Sequence, residues 1–199
     1  MRLKTSLCLF ILLNLTACGL IKPVSLQPIK RYTLQVRHLA IKPYAKTNNT
    51  ILILATQAAA PVATDRMVYI KKPYEQSYYA KHRWAKPPAK FIAPQLIKAL
   101  QLSQHFKAVV AAPIVGITDY RLTTRLLTLE QSFLSHPSQV KMQLQVELVR
   151  SASGKVIAAK TFTATVRSRH DNAYGGVMAA NQALAMILKR VNAFVVRYT

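Results

Sequence analysis

Hydrophobic and polar positions alternate most cleanly between residues 140 and 148. Val140, Met142, Leu144, Val146 and Leu148 are apolar, whereas Lys141, Gln143, Gln145 and Glu147 are polar. That is the period of a strand with one buried face. The preceding stretch, Asp119 to Ser135, reads as a long strand with a phase slip. Tyr120, Leu122 and Leu126 share one parity, and Leu127, Leu129 and Phe133 share the other. The slip predicts a β-bulge near Leu126-Leu127. His136-Pro137-Ser138 turns the chain, Ser151 to Gly154 is a hairpin loop, and Val156 to Val166 supplies the returning strand.

Upstream the strand signals are shorter. Tyr32, Leu34 and Val36 alternate with Thr33, Gln35 and Arg37, and Ile51-Leu52-Ile53-Leu54 is an apolar run. Met67 to Ile70 and Gln76 to Lys81 form a hairpin around Lys71-Lys72-Pro73-Tyr74, and Phe106 to Val110 is a further short strand. Two segments change to helical spacing. Ile92, Leu96, Ala99 and Leu100 predict a helix from about Pro88 to Ser103, with Pro94 as a kink or a late start. Val177, Ala180, Leu184, Ile187, Leu188, Val191 and Val195 lie on one face of a second helix, Ala173 to Arg197. At 1.5 Å per residue it is roughly 37 Å long. Asp171-Asn172 precedes it as the N-cap candidate, and capping is the role expected of Asp171. The expected fold is α+β: a single domain, with a mostly antiparallel sheet and two main helices packed on one face.

The first residues follow a different pattern. Arg2 and Lys4 precede a nearly unbroken apolar run, Leu7 to Leu15, which is too short to span a bilayer as a helix. It fits the apolar core of a secretory signal peptide. Leu15-Thr16-Ala17-Cys18 closes it, in the order of a bacterial lipobox, and Gly19 follows. The resemblance implies cleavage before Cys18, acylation of its thiol and new amino end, and, with no Asp after the cysteine, sorting to the outer membrane. The chain then divides into a lipoprotein signal peptide (1–17), a lipidated N-terminus and tether (18–30) and one folded domain (31–199). Cys8 would leave with the signal peptide, and Cys18 would carry the acyl chains, so no disulfide is expected.

Charge narrows the chemistry. Lys and Arg number 28 against 6 Asp and Glu, a formal net charge of +22. Six scattered carboxylates are too few for a carboxylate-rich metal or hydrolase site, and five glycines form no phosphate loop. His38, His82, His105, His136 and His170 show no metal-ligand spacing, and no serine sits in a nucleophile elbow. No catalytic residue, metal or cofactor is expected beyond the acyl chains on Cys18, and the chain is read as a non-enzyme. The richest stretch is Arg66 to Lys90, where Tyr69, Tyr74, Tyr78, Tyr79, Arg83 and Trp84 stand among lysines. These six are the candidate contacts for a partner or for lipid. In an envelope compartment, anionic lipid headgroups or acidic protein surfaces match their sign better than nucleic acid does.

The ordered features resemble the ABC-type transport auxiliary lipoproteins, which include the lipoprotein subunit of the paraquat-inducible envelope system. The residues that carry the resemblance begin with Arg31-Tyr32-Thr33-Leu34, Thr64-Asp65-Arg66-Met67-Val68-Tyr69, Tyr78 and Arg83-Trp84 with Pro87-Pro88. Leu96 to Leu100 before Phe106, Asp119-Tyr120-Arg121-Leu122, Leu129-Glu130-Gln131 and Asp171-Asn172-Ala173-Tyr174-Gly175-Gly176 complete them. The likeness implies a periplasm-facing accessory of lipid transport, working with an ABC permease, an ATPase and a mammalian-cell-entry (MCE) domain protein. Self-association into a ring would suit a channel partner. The competing expectation is a structural or sensor lipoprotein that binds anionic lipid or glycan and transports nothing. The family supplies no catalytic residues, and this chain is more basic than the family pattern.

Overall fold

The computed structural model describes residues 28–114 and 116–199. The signal peptide, Cys18 and nearly all of the tether lie outside the described residues. The strands are β1 (Lys30–Tyr32), β2 (Thr50–Ile53), β3 (Gln57–Ala58), β4 (Arg66–Lys72), β5 (Glu75–Trp84), β6 (Ala108–Ala111), β7 (Tyr120–Ser132), β8 (Gln139–Arg150) and β9 (Val156–Arg167). The helices are α1 (Ala89–Leu102) and α2 (Ala173–Arg197). The single-domain α+β expectation holds, around one curled mixed sheet.

The sheet is organised by β7. One edge of β7 carries β8, antiparallel along its whole length, and β9 continues that meander. The opposite edge is shared by three strands that follow one another along it, all parallel to β7: β2 at Tyr120–Leu122, β3 at Arg125–Leu126 and β4 at Glu130–Ser132. β6 lies parallel to β2, β5 antiparallel to β4, and β1 parallel to β5. The antiparallel ladders are the long ones, and the short pairings are parallel. Periodicity reports which face is buried, not which way a neighbour runs, so this parallel component was invisible in the pattern.

The phase slip in β7 is a bulge. Leu126 pairs with Leu144 and Thr128 with Gln143, leaving Leu127 unpaired. Tyr120, Leu122, Thr124 and Leu126 point inward before it, and Leu129 and Gln131 after it. Leu34, Ile51, Ile53, Leu122, Leu126, Met142, Leu144 and Leu148 meet Ile92, Leu96 and Leu100 of α1 and Leu184, Ile187, Leu188 and Val191 of α2 in one core. Burying a single leucine there contributes about 1.5–3 kcal/mol. Pro94 lies inside α1.

The predicted strand over 32–36 is only partly a strand. Lys30–Tyr32 pairs with β5, whereas residues 33–36 leave the sheet and run past the two helices. Leu34 is fully buried there. The backbone of this segment is served by one side-chain amide from each helix. Gln95 of α1 accepts from the Val36 N–H at 2.6 Å and donates to the Leu34 carbonyl at 2.8 Å. Asn181 of α2 accepts from the Gln35 N–H and donates to the Thr33 carbonyl. The two amides replace a ladder, so buried peptide groups do not go unpaired.

At the start of α2 the cap is Asn172, whose side chain accepts from the Gly175 N–H at 2.8 Å. The capping role expected of Asp171 is therefore corrected by one residue. Asp171 instead accepts from the Ser138 N–H at 2.6 Å and pairs with His136 at 2.9 Å, tying the β7–β8 turn to the helix start.

Candidate interaction surface

The six residues singled out from the sequence all lie on the β4–β5 hairpin or its end, but in different environments. Trp84 is 4% exposed and belongs to the core, so its ring is no contact surface. It sits at the end of β5, where its backbone N–H bonds to the Asp65 carbonyl just before β4 and its ring packs into the core. Tyr74 is the opposite case. It stands fully exposed at the hairpin tip with φ of 66°. That left-handed backbone is uncommon for a residue with a Cβ. Tyr78 is half-buried under the Arg66 guanidinium, 3.7 Å from its ring centroid. The Arg83 guanidinium folds back to the Tyr79 and His82 carbonyls.

Tyr69 and Tyr79 belong to a longer feature. Six rings follow one another: Phe133, Tyr69, Tyr79, His82, Tyr32 and Tyr174, with centroid separations of 6.1, 4.8, 5.7, 5.8 and 6.2 Å in that order. These spacings are those of favourable aromatic pairs. The row draws on β1, β4, β5, the end of β7 and the first turn of α2, and Tyr174 is 57% exposed at its end. Phe133, Tyr32, His82 and Tyr174 were missed as contact candidates because four separate segments bring them together.

The polar groups of the row are fixed from below. The Tyr79 hydroxyl donates to Gln131 Oε1 at 2.9 Å. Gln131 is buried and donates in turn to Ser138 Oγ at 2.9 Å and the Asn172 carbonyl at 3.2 Å. Burial, with the neighbouring Tyr69 and the Asp171 charge, pushes the Tyr79 phenol well above its ordinary range. Burial and then the Lys30 charge hold His82 below the usual imidazole value, which favours its neutral form. The Tyr32 hydroxyl lies 3.0 Å from His82 Nδ1. Lys71 lies over Tyr69 at 5.6 Å and Arg66 over the neighbouring Tyr78, so cations lie beside the row.

Beneath this surface the sheet and α2 close tightly. Met67, Trp84, Leu129, Val140, Gly176 and Ala180 line a void of only about 10 Å³, about the space of a single water. Among the described residues no group of three or more His, Cys, Asp or Glu side chains is placed to hold a metal. No helix among them is long and apolar enough to cross a membrane.

The motifs Leu129-Glu130-Gln131 and Asp171 to Gly176 thus converge on one joint between β7 and α2. A family model described as ABC-type transport auxiliary lipoprotein component matches residues 32–192, which takes in the aromatic row, this joint, α1 and most of α2. The chain belongs to that family. Members are lipoproteins associated with ABC transport, a membrane-anchored envelope class. The fold agrees with two solved structures. A Xanthomonas campestris protein of the DUF330 family superposes with a TM-score of 0.75 at 20% identity, covering 85% of this chain and 96% of that one. An uncharacterized protein superposes with a TM-score of 0.68 at 15% identity, covering 85% and 99%. More distant is a PelC variant from Paraburkholderia phytofirmans, solved as a dodecamer, with a TM-score of 0.45 at 16% identity over 78% of this chain and 95% of that one. No curated protein matches this sequence.

Proposed function

We propose that this auxiliary lipoprotein is the periplasm-facing accessory of an ABC/MCE-type lipid transport system, anchored in the outer membrane through Cys18, and that it docks the transporter assembly there without carrying lipid in its interior. The observation that supports docking over carriage is the filled interior beneath the aromatic row. The void there is about 10 Å³, against roughly 300–1,000 Å³ for sites that enclose small ligands, and the larger hollows along α2 are open surface grooves. In this reading the exposed hairpin tip at Tyr74 and the aromatic row with its flanking cations are contact surface, and the module is not an enzyme. Ring-like self-association would bring several such surfaces to one channel.

Affinity capture of the lipidated protein from gently solubilised envelopes, with mass spectrometry of proteins and lipids, tests the proposal. The expected result is co-recovery of an MCE-domain protein with its permease and ATPase. Recovery of lipid or glycan alone would overturn the proposal and favour a binding or sensor lipoprotein.

A further inference from the structure

β9 is an edge strand. Among the described residues it pairs with β8 alone. The parity of its backbone follows from the end of the ladder. The Ser168 N–H bonds to the Ser138 carbonyl, so Ser168 faces β8. In an antiparallel strand, residues two apart point their N–H and C=O groups the same way. Through the continuous register from Arg167 back to Ala158, the peptide groups of Thr165, Thr163, Thr161 and Ala159 therefore face away from the sheet. Arg190 confirms the direction, since it reaches from α2 to the Thr163 carbonyl at 2.8 Å. β9 has twelve residues and no proline, so, apart from the Thr163 carbonyl that Arg190 covers, it keeps a long template of the kind that proteins usually cover or break.

Beside this edge lies a groove of about 710 Å³ between β9 and the last turns of α2. Phe162, Phe194 and Tyr198 give it an aromatic wall, with the rings in series at 5.5 and 5.1 Å. Lys160, Arg190 and Arg197 give it a positive rim. From this edge and groove we propose that β9 accepts an extended, acidic segment of a partner protein, which adds as a further strand beside α2. Backbone hydrogen bonds to Ala159, Thr161, Thr165 and the Thr163 N–H would give register, and its acidic side chains would meet Lys160, Arg190 and Arg197. The charge argues for an acidic occupant over a second copy. A second β9 would bring its own Lys160 and Arg167 to a chain already at +22. The proposal rests on the edge and its charge alone and is independent of the transport reading.

The test uses the full lipidated chain in neutral detergent and two synthetic dodecapeptides, one alternating valine with glutamate and one alternating valine with lysine. Binding is read by fluorescence anisotropy, and protection by amide hydrogen exchange. The expected result is binding of the glutamate peptide at least tenfold tighter than the lysine peptide, with slowed exchange at Thr161, Thr163 and Thr165. Thr163→Pro removes one outward N–H and leaves the β8 ladder intact. It should weaken the glutamate peptide about tenfold, as expected for losing one main-chain hydrogen bond and adding a clash. Lys160→Glu should weaken it at unchanged melting temperature. No binding at millimolar peptide, binding insensitive to Thr163→Pro, or protection elsewhere than β9 would each overturn the proposal. So would a dimer of the lipidated chain that Thr163→Pro dissociates, since the occupant would then be a second copy.

Discussion

Replacing Gly176 by alanine tests the joint between α2 and β7. A Cβ at Gly176 would overlap Gln131 Oε1 and sit 2.7 Å from its Cδ. Gln131 has little freedom to retreat, because it accepts from Tyr79 and donates to Ser138 and Asn172 within a buried site. Moving the amide costs two of these bonds at about 1 kcal/mol each, and leaving a buried donor or acceptor unpaired adds about 1–3 kcal/mol. Against this, alanine gains up to about 1 kcal/mol over glycine in a helix. The expected net destabilisation is about 2–4 kcal/mol, or roughly 4–16 °C in melting temperature for a domain of this size. Urea denaturation of Gly176→Ala, Gln131→Ala and the double variant checks the cause. In the Gln131→Ala background there is room for the methyl group, so Gly176→Ala should become neutral or stabilising, giving a coupling of at least about 2 kcal/mol. A Gly176→Ala protein as stable as wild type, or an equal effect in both backgrounds, would refute the reasoning.

Three further expectations follow from other sites. Gln95→Ala removes both partners of the Leu34–Val36 backbone, so it should destabilise by about 2–3 kcal/mol and speed amide exchange at Val36 selectively; unchanged exchange there would show the clamp to be unimportant. Asp171 is held at about 2, below its ordinary 3.8, by bonds from His136 and Ser138. A depressed carboxylate stabilises the fold above its unfolded value and loses that stabilisation as pH falls. The stability gap between wild type and Asp171→Asn should therefore close as pH falls between about 4 and 2; a gap undiminished at pH 2 would contradict this. Cys18→Ser should abolish acylation and signal-peptide processing, and membrane-partitioned, acylated Cys18→Ser protein would refute the lipobox reading.

Much of the fold was legible because each long element has one wet and one dry face. The alternation over β8, the slip at Leu127 and the stripe from Val177 to Val195 are statements about faces, and they map directly onto the structure. Neighbours are another matter. Nothing in Ile51-Leu52-Ile53 announces that its partner begins at Tyr120. The amides of Gln95 and Asn181 are ordinary polar positions on helices until a backbone comes within reach. The candidate contact surface was half legible for the same reason. Tyr69 and Tyr79 stand out among lysines, but the row that they continue needs Tyr32, Phe133 and Tyr174 from distant segments. Trp84 misled because interleaving with charge marks a strand edge as readily as a surface.

The sharing of one β7 edge by β2, β3 and β4 also sets an order of assembly. β7, β8, β9 and α2 are consecutive in the chain and can close on one another through short connections. β2 and β4 precede their partner by the long separations Ile51 to Tyr120 and Val68 to Glu130. Contacts so distant in sequence form late, after the loops between them have closed. A polypeptide delivered across a membrane amino end first presents β2, β3 and β4 well before the strand that completes them. The amino-terminal half then waits as an unfinished template, with the β4–β5 hairpin and α1 as its local elements. Its fate in transit depends on whatever shields those strands until Ser132 has emerged.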